Sequence, residues 1–193
     1  MNKIKFTAIF MIIVIALLGF RFFIFSERSI SDKEITSDIE KQINRILKEN
    51  HRINPQNIGA KVELFEDIQS KRFVVYSFVN PLAGYMRHTG YAVYERTKDG
   101  RFKRTDFGWD SSTLNVRNLT VHQNDKDMFY LMVYGMNDPG KKQIYEYTSG
   151  SDKEIVEFSG DYFLKKYDTN GNPAGFRNIQ PDSDNDEAEF QNP

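Results

Sequence analysis

From Ala60 onward the apolar residues of this chain fall into short alternating or continuous runs, and no segment with helical spacing returns between them. Parallel strands need crossover connections of a dozen or more residues, usually helical. With none available, the runs pair with their neighbours in sequence, which gives an antiparallel meander. The candidate strands are Lys61–Glu66, Arg72–Val79, Gly90–Arg96, Arg101–Phe107, Leu114–Val121, Asp127–Met136, Gln143–Thr148, Glu154–Phe158 and Tyr162–Tyr167. Turn residues separate them at Asp99-Gly100, Asp138-Pro139-Gly140, Gly150-Ser151 and Asn170-Gly171. Phe73–Val79 and Met128–Met136 are apolar at consecutive positions, so both of their faces need cover. The order long strand, loop, aromatic strand, hairpin, strand occurs from Phe73 and again from Met128. Two such units suit the halves of one curved sheet or a partly closed barrel.

Before Ala60 the period is helical. Ser31-Asp32-Lys33-Glu34 has the capping-box pattern, in which Ser31 caps the helix and Glu34 returns the bond. Ile35, Ile39, Ile43, Ile46 and Leu47 then form one stripe, with Asp38, Lys41, Arg45, Lys48 and Glu49 opposite. Asn50 and Pro55 close the segment. The mixed charges of the outer face do not resemble a lipid-binding polar face. The stripe is therefore expected to pack on the sheet that follows.

The first residues set the address. Lys3 and Lys5 precede an uncharged run from Phe6 to Phe20, and after Arg21 the segment Phe22–Phe25 is apolar again. Residues 6–25 as a helix reach about 30 Å, one hydrocarbon thickness. Arg21 lies near the far end, where a long side chain can snorkel to the headgroups. Lys3 and Lys5 favour a cytoplasmic start by the positive-inside rule. Two readings stand: an uncleaved signal anchor, or an export signal removed to leave a secreted domain. The junction Ile24-Phe25-Ser26 is a poor small-x-small cleavage site, which favours the anchor.

Composition narrows the function. A net charge of -1 argues against a general nucleic-acid binder. With no cysteine, a disulfide framework, a thiolate zinc site and lipid attachment at a lipobox are all excluded. His51, His88 and His122 are widely spaced with no ligand pairing, so no metal or cofactor is expected. No nucleophile-elbow, P-loop or dinucleotide motif is present. Asp182, Asp184 and Asp186 alternate as in a calcium loop, but Glu187 and Pro193 occupy the positions that need Gly and an acid.

Two surface candidates remain. Arg96, Lys98, Arg101, Lys103 and Arg104 surround one hairpin tip with Asp99 alone opposing, a candidate contact for anionic lipid or wall polymer. Such cations also serve as guards against edge-to-edge aggregation. The segment Asn80–Thr89 is the longest break between strands, and it carries Tyr85, Met86, Arg87 and His88. With Phe107 and Trp109 these residues form the candidate binding surface.

The expected fold is α+β: an N-terminal transmembrane helix, one amphipathic helix, then a mostly antiparallel meander of about seven to nine strands. Residues 1–5 are the cytoplasmic start, 6–25 the anchor, 26–30 a short linker, 31–176 an extracytoplasmic domain and 177–193 an acidic tail. The expected function is a non-catalytic binding or assembly module tethered in a bacterial cell envelope. Its partners are the bilayer through residues 6–25 and an envelope protein or an anionic wall or lipid surface. The alternative is an envelope hydrolase using paired carboxylates among Glu63, Glu66, Glu95 and Asp106.

Overall fold

The computed structural model describes residues 29–52, 58–110, 112–123, 126–137, 143–169 and 174–179. The anchor expected at 6–25, the turns at 138–140 and 170–171 and the acidic segment from Asp182 lie outside the described residues. Among the described residues no helix is long and apolar enough to cross a membrane.

Ser31 opens the domain much as its motif implies. The Glu34 carboxylate accepts bonds from the Ser31 N–H and hydroxyl, both at 2.7 Å. One 3-10 turn, Asp32–Glu34, leads into helix α1, Ile35–His51. Its inner positions Ile35, Ile39, Ile43 and Leu47 are buried, each about one turn from the next. Arg52 in left-handed conformation closes it, its N–H bonding back to the Leu47 and Lys48 carbonyls.

Among the described residues ten strands follow, all paired antiparallel: β1 Lys61–Ile68, β2 Lys71–Asn80, β3 Met86–Arg96, β4 Phe102–Asp110, β5 Leu114–Gln123, β6 Lys126–Met136, β7 Gln143–Ser149, β8 Asp152–Phe158, β9 Tyr162–Asp168 and β10 Ala174–Asn178. They form three sheets, ordered β1-β2-β3-β4, β5-β6-β9 and β10-β7-β8. Contrary to the one-sheet or barrel expectation, no barrel closes among the described residues, and the two similar-looking units do not correspond. The first stays within one sheet as β2-β3-β4, whereas the second splits, with β6 in one sheet and β7-β8 in the next.

The reason is the two-faced apolar strands. On β2, Val74, Tyr76 and Phe78 pack under α1, while Phe73 and Val75 pack against Met132 and Tyr134 of β6 and their neighbours. On β6, Leu131 and Val133 point the other way, toward Tyr145, Tyr147, Val156 and Phe158. A single curved sheet covers one face of such strands; a stack covers both. The result is four layers: helix, first sheet, second sheet, third sheet. Both β2 and β6 are interior, as their composition requires.

The first sheet has two ends that matter below. Arg96 and Phe102 face each other at one end, and Asn80 pairs with Met86 at the other. Ile30 joins the first end, exchanging both backbone bonds with Phe102 at 2.7 and 2.8 Å. The helix therefore starts beside Phe102 and runs about 25 Å toward the Asn80 end. There the carbonyl of Ile58 accepts from Val79 N–H at 2.8 Å.

Candidate functional site

At the Phe102 end, Arg104 of the basic cluster is turned inward and the other four cations stay at the surface. Arg104 sits opposite Tyr94 in the β3–β4 ladder, and its guanidinium donates to Asp38 and, at 3.0 Å, to Gln42, both on α1. The Tyr94 hydroxyl, fully buried, donates to the same Asp38 oxygen at 2.9 Å. Burial, followed by the neighbouring Asp38 charge, pushes the Tyr94 phenol well above its ordinary range. Arg72, opposite Tyr94 on β2, grips Asp67 with two bonds of 2.6 and 2.8 Å and also reaches Asp32. Its planar head lies 4.4 Å from the Phe65 ring centre and 4.6 Å from that of Phe102. Arg96 pairs with Asp67 at 3.8 Å and Arg101 with Glu34 at 3.9 Å.

Two of the five cations, Arg101 and Arg104, thus reach the helix and its approach, and Arg96 pairs within the sheet to Asp67 of β1. Lys98 and Lys103 are exposed and form no ion pair among the described residues. The charge that looked unopposed in sequence is largely offset by Glu34, Asp38 and Asp67, which arrive from other elements.

The Asn80 end is different. An aromatic ladder climbs the helix-facing side of the sheet: Tyr76 stacks on Phe107 at 5.2 Å, Phe78 meets Trp109 edge-on at 5.3 Å, and His88 lies 6.1 Å from Phe78. Gly90 makes this possible, because a Cβ there would fall 2.3 Å from the Tyr76 ring. Above the ladder the chain turns through a 3-10 turn, Pro81–Ala83. The buried Asn80 side chain accepts from Leu82 N–H at 3.0 Å, and its carbonyl accepts from Tyr85 N–H at 2.9 Å. This well-bonded turn holds three large apolar side chains out in solvent: Leu82 at 45%, Tyr85 at 73% and Met86 at 62% exposure. Gly84 and Tyr85 both have a φ of 64°. Glycine adopts that conformation freely; for tyrosine it costs about 1–2 kcal/mol.

The break between β2 and β3 is shorter than expected, since β3 begins at Met86 and takes Arg87 and His88 into the ladder. Likewise β4 continues past Phe107 to Asp110. Of the six candidate binding residues, His88, Phe107 and Trp109 come together in the ladder. Tyr85 and Met86 form the tip above it. Arg87 points to the other face.

On that other face Arg87 meets groups the sequence reading had not connected. Ser77, fully buried, donates to Glu63 at 2.6 Å and accepts from Arg87 at 2.7 Å. Lys61 donates to Glu63 at 2.8 Å, and that bond raises the lysine pKa. Glu63 sits where the β1 register slips between Val62 and Leu64. A serine inside the apolar run Phe73–Val79 was the available sequence signal for this cluster.

Known protein families, curated proteins and solved structures offer no relative of this chain. Its chemistry has to be read from the residues alone. The acids considered for general acid–base work are engaged one by one: Glu63 as above, Glu66 by Lys166 at 3.3 Å, Asp106 by the Tyr91 hydroxyl at 3.0 Å, with Glu95 exposed opposite Lys71 and Lys103. Among the described residues no group of three or more histidine or acidic side chains could hold a metal ion. His122 pairs with Asp127 at 3.0 Å on the surface, and His51 lies exposed at the end of α1. What the arrangement offers is an exposed apolar tip.

Proposed function

We propose that this chain is a membrane-tethered, extracytoplasmic contact module of a bacterial cell envelope, without catalysis of its own. The observation that carries the reading is the tip. Leu82, Tyr85 and Met86 are displayed in solvent by a turn that Asn80 ties through the Leu82 and Tyr85 N–H groups, and Tyr85 holds a left-handed conformation that its own packing does not repay. Strain kept beside an exposed apolar cluster supports a contact role for this turn. The leader at 6–25 supports the tether, and the separately engaged acids support the absence of hydrolytic chemistry.

Fractionation with intact-mass measurement tests the tether. The full-length mass in the membrane fraction is the expected result; a mass lacking about the first 26 residues overturns it, leaving a secreted domain. A photo-crosslinker at position 85, in intact cells at native expression, tests the contact. Adducts to other proteins are expected from position 85 and not from Ile155, which is also exposed, at 59%, on β8 of the third sheet.

A further inference from the structure

We infer that the outer edge of β8 pairs antiparallel, about a two-fold axis at Ile155, with the same edge of a second copy of this chain. β8 ends its sheet, and among the described residues no backbone group bonds to its outer side. Gly150 and Ser151 alone join β7 to β8, with Ser149 opposite Asp152 and Gly150 at a φ of 58°. In a hairpin closed by two residues the closing pair exchanges both bonds, and bonding alternates from there. Asp152, Glu154, Val156 and Phe158 thus turn their N–H and C=O groups to β7, while Lys153, Ile155 and Glu157 turn theirs outward. The same count from Gln123 opposite Lys126 turns the Thr120 carbonyl of β5 outward, and there Lys71 donates to it at 2.7 Å.

Charge complementarity names the occupant. Laid on its own copy over its full length, β8 sets Ile155 opposite Ile155 and Lys153 opposite Glu157 on both sides of the axis. These are the positions whose backbone groups turn outward, and their pairing makes about six bonds. Ile155 is 59% exposed, on the side of the sheet away from Val156 and Phe158, so the two isoleucines cover each other at the axis. Lys153, which donates to Glu146 at 3.4 Å, comes to stand between two carboxylates. On the inner side Glu154 faces Val156 and Asp152 faces Phe158, so no like charges lie directly opposite. The two Glu154 side chains are diagonal neighbours, and each keeps Lys165 at 2.9 Å. Two sheets then join as one, in the order β10-β7-β8-β8-β7-β10.

The other five edges fail the same test. Full overlap sets Asp106 of β4 opposite itself and Lys165 of β9 opposite itself, like charge against like. β4 is also bridged at Phe102 by Ile30. β1 slips register between Val62 and Leu64, which throws its outward groups out of line. β5 carries no acid, and its Thr120 carbonyl is already taken. β10 is five residues long with one charge, Arg177, so it has no opposite sign to offer its copy. Charged edges commonly keep sheets apart, and four of these five use charge or irregularity in that way. On β8 the charges favour the copy instead. A contact between two strand edges is small, below about 1,200 Å², so the pairing is weak and reversible.

Sedimentation equilibrium of the full chain in density-matched detergent micelles tests the pairing. The wild type is expected to pass from monomer to dimer by about 100 μM. Lys153→Glu and Glu157→Lys each turn both ion pairs beside the axis into like-charge pairs, and each should weaken the dimer about ten-fold or more. The double variant restores the pairs with their signs exchanged and should return to within about three-fold of the wild type. Ile155→Pro removes the axial N–H, which β7 does not use, and should leave a monomer. Circular dichroism and Trp109 fluorescence confirm that each variant folds. A wild-type chain that stays monomeric throughout overturns the inference. So does a dimer that neither charge change weakens, since it is held by the leader or the tip. Dimerisation lost in both single variants and not recovered in the double overturns the register about Ile155.

Discussion

The network joining α1 to the sheet can be taken apart with a double-mutant cycle on Asp38 and Tyr94. Asp38 receives the Arg104 guanidinium and the Tyr94 hydroxyl, the latter at 2.9 Å, and Tyr94 is fully buried. Removing the phenol oxygen alone, in Tyr94→Phe, deletes one hydrogen bond to a charged acceptor and should cost about 2 kcal/mol. Asp38→Ala is worse in kind, because it leaves Arg104, whose side chain is 11% exposed, without its carboxylate and Tyr94 with an unpaired hydroxyl. That loss should be about 3 kcal/mol, the lower end of the range for breaking a buried pair, since Asp38 keeps 24% exposure.

The double variant separates this account from simple packing. Once Asp38 is gone, Tyr94→Phe removes a hydroxyl with nothing to bond, so the second change should cost almost nothing. The double variant is therefore expected to lie near the Asp38→Ala value, a coupling of about 2 kcal/mol. Urea unfolding followed by circular dichroism and by the fluorescence of the single tryptophan, Trp109, gives the four stabilities. Additive losses, within about 0.5 kcal/mol, would show that the two residues act independently and would refute the network reading.

Four further outcomes follow from the same structure. Ile43→Ala, at a fully buried helix position, should cost about 2–5 kcal/mol by urea unfolding, and Ile46→Ala, half-buried, clearly less. Gly135→Ala would set a Cβ 1.9 Å from the Thr113 carbonyl and 2.6 Å from the Phe163 ring, so it should cost more than about 3 kcal/mol, whereas Gly175→Ala, with 3.7 Å to Thr148, should stay within about 0.5 kcal/mol. The hydrogen bond from Arg72 lowers the Asp67 pKa, so its stabilisation is present above the ordinary aspartate value and is lost as pH falls through the depressed one. Asp67→Asn should accordingly lower the urea midpoint at neutral pH and flatten its decline in acid. Tyr85→Gly, relieving a φ of 64° at an exposed site, should raise the melting temperature slightly, a gain of about 0.5–1 kcal/mol, and a fall would refute the strain assigned to the tip.

Nine of the ten strands and the buried stripe of α1 were readable from local pattern, because each announces itself by period and by turn residues. The tenth, β10, was not: Ala174-Gly175-Phe176-Arg177-Asn178 has one large apolar residue, and its place is set by pairing with β7, across 25 or more residues of chain. It also carries regular structure past residue 176, where the domain was expected to end. The partition into three sheets was hidden for a related reason. Hairpin pairing is local, but which hairpin joins which layer depends on contacts between faces. The basic cluster was legible as a patch of charge, but its partners were not. The counter-charge of Arg104 stands far away in sequence, Asp38 lying 66 positions before it, so a cation that looked free in the hairpin is paired to the helix.

The stack also explains why the last strands matter to the middle of the molecule. Leu131 and Val133 of β6 face the third sheet, and β6 pairs laterally with β9 from Tyr130 to Met136. Tyr167 of β9 stacks on Tyr147 of β7 at 4.1 Å, and Phe163 on Phe158 of β8 at 4.2 Å. So β9 supplies both a hydrogen-bonding edge to the second sheet and half of the aromatic seam to the third. Without it, β6 keeps an unpaired edge and a thinly covered apolar face at once, the combination that invites edge-to-edge aggregation. The cost of losing β9 therefore falls on β6, two layers from the helix. A chain ended after Phe158 should for that reason aggregate even though the helix and first sheet keep every residue of their own core.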